Sequence, residues 1–384
     1  MNIDTLCVHG GSNEYSHGAV NVPIYQSATF SHIGVGKSTG YDYSRLSNPT
    51  RTELETVITK LEKGYDGMAF STGMAAIGAI MELFSPGDHI IASEDLYGGS
   101  YRLFHNISAK NGLKFDFIDT TSKDTVERHI LKETKAIFVE TPSNPMMHVS
   151  DVRELSKIAK AKRIEATVER YAERRAELKA AGEYAANPIP LGANIVIHSG
   201  TKYLCGHNDT LAGFVIADNK GLSERLREIY KTTGACLSPF DSWLLIRGIK
   251  TLSIRMVKQQ ENAGKIARWL QEHHKIRTVN YVGLPDHPGY EISKQQGKGF
   301  GAMISFETDS EETAVNLLEN LSIILYAESL GGVETLITYP MLQTHGDIPK
   351  EEREKLGINE RFLRLSVGIE DSTDLIQDLE NGLK

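Results

Sequence analysis

Residues 193–203 read ANIVIHSGTKY, and this stretch decides the fold. Its first half, 193–197, is a short apolar run that is typical of a buried strand. Polar residues follow at once, with Lys202 placed beside the hydroxyls of Ser199 and Thr201. In an open α/β sheet, ligands bind at the carboxyl ends of the strands. A lysine that loses hydration there can release its proton and react with a carbonyl, although a lysine beside a strand is more often simply exposed.

Short apolar runs of the same kind recur along the chain, and helical patterns separate them. These runs lie at residues 89–92, 114–118, 136–139 and 211–216. The alternation predicts an α/β fold in which helices cover a mostly parallel sheet on both faces.

The pattern divides the chain into three parts. Residues 1–50 are rich in Gly, Ser, Asn and Tyr, which predicts an extended N-terminal arm. Residues 51–240 carry the alternation of strands and helices and form the large domain. Residues 241–384 open with a helical stretch that reaches about residue 277 and continue with strands and helices, which predicts a smaller C-terminal α+β domain.

The segment at 163–186 interrupts the alternation. It is rich in Ala, Glu and Arg, which favour a helix, and Gly182 is suited to end one. The alternation would place a buried strand between the helix at 152–162 and the strand at 193, yet no apolar run is found there. Two interpretations are open: a solvated helical insertion, or a charged helix that has replaced a core strand.

Four further motifs place chemically useful residues near the same sheet edge. Gly73 and Met74 open an apolar helix, and the free N–H groups of a helix start bind phosphate. Tyr97 follows the first of the apolar runs and could stack on a planar ring. Asn144 follows the third run, and Arg364 lies in a strand pattern, where a buried guanidinium needs an anion such as a carboxylate. Each motif also has an ordinary structural interpretation: an N-cap, a half-buried tyrosine, a proline turn and an ion pair.

Composition narrows the class of protein. The chain has 384 residues, of which 40% are hydrophobic and 24% charged, and its net charge of −8 disfavours binding to nucleic-acid phosphates. Three distant cysteines exclude a disulfide framework and a Cys-based zinc cluster, so no metal is expected. Residues 1–4 show no basic n-region, and no apolar stretch reaches the length of a membrane span. We therefore expect a cytoplasmic protein without a membrane or nucleic-acid partner.

Residues 34–39 read GVGKST and imitate the end of a nucleotide-binding P-loop. The glycine that this motif needs at an earlier position would be residue 31, which is Ser31, and no helix start follows. Binding of a nucleoside triphosphate is therefore a distant alternative.

Taken together, the motifs resemble the pyridoxal-phosphate enzymes of Cys and Met metabolism, the trans-sulfuration family that contains cystathionine γ-synthase and the cystathionine β- and γ-lyases. The matching stretches lie at residues 41–45, 48–51, 71–76, 95–101, 140–145, 199–206, 329–332 and 364–368. The resemblance implies the type I fold of that family, pyridoxal 5'-phosphate as the cofactor and a small amino acid as the substrate.

The resemblance also implies catalytic and cofactor-binding residues. Lys202 would carry the cofactor as a Schiff base and move protons, and Tyr97 would stack on the ring and assist the leaving group. The remaining cofactor-binding residues would hold the phosphate: Tyr43, Arg45, Gly73, Met74, Ser199 and Thr201.

The resemblance further implies how substrate and subunits are arranged. Asn144, Ser329 and Arg364 would hold the substrate, with Arg364 on its α-carboxylate. Tyr43 and Arg45 would reach the phosphate of a neighbouring subunit, so the resemblance implies a homodimer or homotetramer whose active sites are shared.

One departure from the family falls in the charged segment. There the family has an apolar strand with the sequence Asp-Asn-Thr-Phe, whose aspartate pairs with the protonated ring nitrogen. This chain has no aspartate between Asp151 and Asp209. The comparison with the family therefore implies impaired catalysis and a missing central strand.

Within the family, the stretch at 331–335, Tyr339-Pro340 and Thr344-His345 are closer to the synthase. We therefore expect γ-replacement on an activated homoserine, with elimination from cystathionine by a β- or γ-lyase as the alternative. A non-catalytic protein that keeps the surface of the family is a third interpretation.

Overall fold

The computed structural model describes residues 1–12, 15–162, 164–170, 187–297, 299–346 and 349–384. Its strands are β1 Asp66–Phe70, β2 His89–Ser93, β3 Lys114–Ile118, β4 Thr134–Glu140, β5 Glu165–Arg170, β6 Ile195–Ser199, β7 Gly213–Ala217, β8 Ile276–Asn280, β9 Met303–Thr308, β10 Leu325–Tyr326, β11 Leu336–Thr338 and β12 Phe362–Ser366. Its α-helices are α1 Ile3–His9, α2 Pro49–Glu62, α3 Gly73–Met81, α4 Gly98–Leu103, α5 Lys123–Arg128, α6 Val152–Lys162, α7 Pro188–Leu191, α8 Lys220–Thr233, α9 Pro239–Ile249, α10 Leu252–Glu272, α11 Tyr290–Gln296, α12 Glu311–Asn320, α13 Lys350–Lys355 and α14 Ser372–Gly382. A 3-10 turn lies at Ser16–Gly18, and a π-helical turn lies at Phe104–Ser108.

The larger sheet has seven strands in the order β1-β7-β6-β5-β4-β2-β3. The five strands from β6 to β3 are parallel, whereas β7 runs antiparallel to both β6 and β1. The prediction of an α/β fold with a mostly parallel sheet is confirmed. The edge strand β1 was not predicted from the sequence.

Helices cover both faces of this sheet, as the alternation of side chains in β6 shows. Ile195 and Ile197 join a core cluster with Ile77 of α3, while Val196 between them joins the opposite cluster with Ile58 of α2. All five side chains are fully buried. A strand with apolar packing on both sides reads as a continuous apolar run, which is why its position was visible in the sequence.

The prediction that no strand lies between α6 and β6 is wrong. Strand β5 occupies that place and pairs in parallel with β4 on one side and with β6 on the other. The pairing groups of β4 and β6 are buried and need partners, so the position between them imposes an extended backbone on residues whose own preference is helical. The rest of the predicted charged helix, residue 163 and residues 171–186, lies outside the described residues.

Two other predictions about secondary structure need correction. The N-terminal arm is not extended throughout, because residues 3–9 form α1, which buries Ile3 and Cys7 in the core cluster that includes α2. The helical stretch over 240–277 consists of α9, α10 and the start of strand β8. In both places the packing of side chains on neighbouring elements, which the local pattern does not contain, decides the structure.

The smaller sheet belongs to the C-terminal part of the chain and has five strands in the order β10-β11-β12-β9-β8. Strand β12, which carries Arg364, is central and pairs antiparallel with β11 and β9. The predicted α+β character of this part is confirmed, while the domain boundary at 241 stays a prediction. None of the described helices is both long and apolar enough to cross a bilayer.

Candidate functional site

The start of α3 lies against the end of β6. Thr72 caps the helix by accepting a hydrogen bond from Ala75 N at 3.0 Å, and the free N–H groups that begin a helix are those of Gly73 and Met74. A Cβ on Gly73 would lie 3.4 Å from Cβ of Ser199, so the two residues are in close contact. The helix start and the Ser199 hydroxyl therefore form one polar corner that suits an anion.

The turn after β6 presents Lys202 at this corner. Thr201 Oγ1 accepts a hydrogen bond from Ala212 N at 3.1 Å, which ties the turn to the residue that precedes β7. The backbone N–H of Gly206 donates to Lys202 O at 2.8 Å and closes a single helical turn. Lys202 is thus held by main-chain bonds on a short, ordered segment.

The Lys202 side chain is half-buried, and its Nζ donates a hydrogen bond to Ser329 Oγ at 2.9 Å. The pKa of Lys202 is lowered from 10.5 to about 8, mainly by loss of hydration and also by the charge of Arg364, while Glu328 opposes the shift. A lysine with this pKa has an appreciable neutral fraction at physiological pH, so it is able to act as a nucleophile and as a base.

Arg364 is fully buried on the central strand of the smaller sheet. Its Nη1 donates to Asn144 Oδ1 at 2.7 Å, and its Nη2 donates to Ser329 O at 2.9 Å and to Thr338 Oγ1 at 3.0 Å. Nε has no hydrogen-bond partner within the described part of the chain. Burial lowers the pKa of Arg364 to about 10, so the guanidinium stays charged and has a donor left for an anion.

Tyr97 and Asn144 complete the group, each at the end of its own strand. A Cβ on Gly99 would lie 2.4 Å from the Tyr97 ring and 3.0 Å from Met74 Sδ, so Tyr97 and Met74 are neighbours around that glycine. The backbone N–H of Tyr97 donates to Glu140 Oε2 at 3.0 Å. Tyr97 and Met74 thus lie beside the helix start, while hydrogen bonds join Lys202, Ser329, Arg364 and Asn144. Lys202 N donates to Ser199 O at 3.4 Å and links the two groups.

Tyr43 and Arg45 lie elsewhere, on the exposed N-terminal arm. The Arg45 guanidinium stands 5.5 Å from the Tyr43 ring centre and donates to Lys231 O of α8 at 2.5 Å. Both side chains are exposed. Their predicted contact with the phosphate of a neighbouring subunit stays a prediction.

Sequence reasoning missed residues that position the predicted ones. Thr338 and Ser305 flank Arg364 on the two neighbouring strands, and Glu328 lines a cavity of about 670 Å³ together with Thr201 and Ser329. Finding Thr338 and Ser305 would have required the order of strands in the smaller sheet. Glu328 had a visible signal, because it directly precedes the predicted Ser329.

The P-loop imitation at 34–39 is a tight turn in the arm. Lys37 N donates to Gly34 O at 2.9 Å, and Ile33 N donates to Lys37 O at 2.9 Å. Among the described residues, no strand of either sheet precedes this turn, and the next helix, α2, begins only at Pro49. The geometry gives no support to the nucleotide-binding alternative.

Comparisons with known proteins agree over the length of the chain. A family model described as Cys/Met metabolism PLP-dependent enzyme matches residues 4–384. Cystathionine gamma-lyase of Bacillus subtilis is 46% identical over 100% of both chains, and cystathionine gamma-synthase of Haemophilus influenzae is 45% identical over 98% of this chain and 96% of its own. The crystal structure of cystathionine gamma-lyase from Lactobacillus plantarum complexed with L-serine has a TM-score of 0.94 at 42% identity, covering 100% of this chain and 98% of that one.

Proposed function

Because the chain belongs to the PLP-dependent enzymes of Cys/Met metabolism, we propose that it catalyses trans-sulfuration by γ-replacement on an activated homoserine, with cysteine as the incoming thiol. The observation that supports this proposal is the half-buried Lys202 amine, which has a pKa of about 8 and donates a hydrogen bond to Ser329, whose carbonyl accepts from Arg364.

The residues fit pyridoxal 5'-phosphate. The close approach of Gly73 to Ser199 leaves a corner of backbone and hydroxyl donors for a phosphate, and the half-exposed Tyr97 ring borders the same region through Met74. We assign the phosphate to Gly73, Met74, Ser199 and Thr201, and covalent attachment to Lys202. When bound, the cofactor supplies an electron sink that stabilises negative charge at the substrate α-carbon.

The protein's own side chains then divide the work. Arg364 binds the α-carboxylate of the substrate, and Asn144 and the Ser329 carbonyl fix the orientation of its guanidinium. Lys202 Nζ takes and returns protons, and Ser329 Oγ holds that amine when it is not attached to the cofactor. Tyr97, which lies beside Met74, would stack on the cofactor ring and assist departure of the leaving group.

Elimination from cystathionine is the second candidate. Relatives named as lyases and as synthases are similarly close to this chain, at 46% and 45% identity. Glu328 and Glu334 line the cavity beside Ser329, and their carboxylates suit a second ammonium group, which both cystathionine and an incoming cysteine carry.

A product assay decides between these candidates. The purified protein, supplied with cofactor, is given either an activated homoserine with cysteine or cystathionine alone. Cystathionine formation supports the synthase, whereas release of a 2-oxo acid from cystathionine supports a lyase. Bound cofactor without either product would support the non-catalytic interpretation.

The expectation of impaired catalysis is a separate prediction. Its structural half was wrong, because β5 fills the place of the central strand. Its chemical half rests on the absence of an aspartate between Asp151 and Asp209. Turnover far below that of the relatives, with cofactor bound, is the expected result in the same assay, and ordinary turnover would contradict it.

We also propose a cytoplasmic homodimer or homotetramer with shared sites. The arm exposes apolar side chains, with Val20 at 96% and Ile33 at 76% exposure, and it carries Tyr43 and Arg45. Exposed apolar side chains that lie close together, as Ile33 and Val35 do in the sequence, suit a contact with a second subunit. The described cysteines are free thiols, in keeping with a reducing compartment.

Mixing two inactive variants tests whether the sites are shared. Arg45→Ala and Lys202→Met each remove one half of a shared site, so each homo-oligomer is expected to be inactive. A hybrid subunit pair contains one site with neither substitution, and mixing should restore about a quarter of the wild-type activity for random pairing. A mixture as inactive as its components would contradict the assignment of Arg45 to the neighbouring site.

A further inference from the structure

The loop at 141–148 connects β4 to α6 and carries Asn144 at its tip. Asp95, which follows β2, binds this loop on both sides of Asn144. Its Oδ2 accepts hydrogen bonds from Ser143 Oγ and from Met146 N, the latter at 3.2 Å. Ser143 Oγ also accepts from His148 N at 2.9 Å, so the contact with Asp95 is part of the loop's own closure.

The same loop reaches the smaller sheet. Ser305 Oγ donates to Pro145 O at 2.6 Å, and Asn144 Oδ1 accepts from Arg364 Nη1 at 2.7 Å. The position of Asn144 is therefore fixed from both sheets, by Asp95 on one side and by β9 on the other. Without the contacts to Asp95, the two residues that flank Asn144 lose their attachment to the larger sheet.

Burying the Asp95 carboxylate in this place lowers the stability of the fold. Its side chain is only 2% exposed, and Oδ1 has no hydrogen-bond partner within the described residues. Burial raises the pKa of Asp95, while the hydrogen bond from Ser143 and the nearby His148 oppose that shift. His148 Nδ1 lies 4.0 Å away on a half-exposed ring. A buried carboxylate with one unpartnered oxygen destabilises a fold, so a stabilising role alone does not account for it.

We propose that Asp95 is a positioning residue for substrate recognition: by holding Ser143 and Met146 it sets Asn144 against Arg364 and orients the guanidinium for the α-carboxylate. The inference rests on the proposed role of Arg364 in substrate binding. Asp95 contacts neither the cofactor nor the substrate in this scheme, and its effect is confined to the carboxylate half of the ligand.

Two ligands that differ only in the carboxylate separate this role from a general structural one. L-2-aminobutyrate has no leaving group, and 1-aminopropane is the same molecule without its carboxylate. Binding of each to the cofactor-loaded protein is followed by the change in cofactor absorbance. In Asp95→Ala, affinity for L-2-aminobutyrate should fall about tenfold while affinity for 1-aminopropane stays the same. Asp95→Asn should restore most of the loss, because its amide oxygen still accepts from Ser143 and Met146.

Matched variants complete the test. Glu94→Ala removes the neighbouring exposed carboxylate and should change neither affinity. Ser143→Ala removes the hydrogen-bond donor to Asp95 and serves as the test variant if Asp95→Ala does not fold. The proposal is overturned if these changes weaken both ligands equally or weaken neither. Arg364→Lys separates failure of the Asp95 proposal from failure of the proposed role of Arg364. If Arg364→Lys still prefers L-2-aminobutyrate over 1-aminopropane, the role of Arg364 in binding the carboxylate fails as well. If Arg364→Lys loses this preference but the Asp95 and Ser143 variants keep it, only the role of Asp95 is overturned.

Discussion

Replacing Lys202 with methionine is expected to lower turnover by about 10³-fold or more and to abolish covalent attachment of the cofactor. Methionine keeps most of the length of the side chain but has no amine, so neither the attachment nor the proton transfers remain. Borohydride reduction followed by mass spectrometry of the intact chain measures the attachment directly. The wild type should gain the mass of one cofactor less one water and plus the two hydrogens of the reduction, and the variant should gain none.

Lys220→Met is the matched control, because Lys220 is an exposed lysine on α8 and should keep both attachment and turnover.

The pH dependence of stability supplies a readout that is independent of catalysis. The pKa of Lys202 in the folded protein, about 8, lies below its ordinary value of 10.5, so the unfolded chain binds more protons between these values. The free energy of unfolding of the cofactor-free protein should therefore rise with pH across that window, by about 3 kcal/mol at most. Lys202→Met should lack this rise, and an unchanged rise would contradict the lowered pKa.

Replacing Arg364 with lysine should raise KM for the amino-acid substrate by about 100-fold, with a smaller effect on kcat. Lysine keeps the positive charge but loses the planar fork that reaches Asn144, Thr338 and the Ser329 carbonyl together. The substrate carboxylate would then meet a single, poorly oriented ammonium. Steady-state kinetics over a range of substrate concentrations separates the two constants.

Arg277→Lys, at an exposed position of the edge strand β8, makes the same chemical change away from the site and should leave KM unchanged. A change in kcat alone in Arg364→Lys would assign Arg364 to the reaction itself and not to substrate binding.

The sequence revealed those elements whose burial is visible in a local pattern. Strands β2, β4 and β6 are buried on both faces, so each is a continuous apolar run with chemically useful residues just after it. Strand β5 could not be found this way, because residues 165–170 are mostly polar and their extended form depends on the neighbours β4 and β6. Helix α1 was missed for a similar reason, since seven residues contain too few turns to show a period.

The candidate site shows the same division. Lys202, Tyr97 and Asn144 follow predicted strands of the parallel sheet, so their meeting at one edge follows from the topology of such sheets. Thr338 and Ser305 lie beside Arg364 only because β11 and β9 are the neighbours of β12. Long connections join these antiparallel strands, so the local sequence does not indicate which strands pair. Asp95 belongs to the motif at residues 95–101, but its hydrogen bonds to Ser143 and Met146 form only because β2 and β4 are adjacent.

The site draws its members from both sheets: Lys202 and Tyr97 stand on the seven-stranded sheet, while Ser329 and Arg364 come from the five-stranded part. The two halves are nevertheless coupled, because Ser329 accepts a hydrogen bond from the Lys202 amine and the charge of Arg364 helps to lower the pKa of that amine. Substitutions around β12 should therefore change the protonation of Lys202 as well as the proposed binding of the substrate.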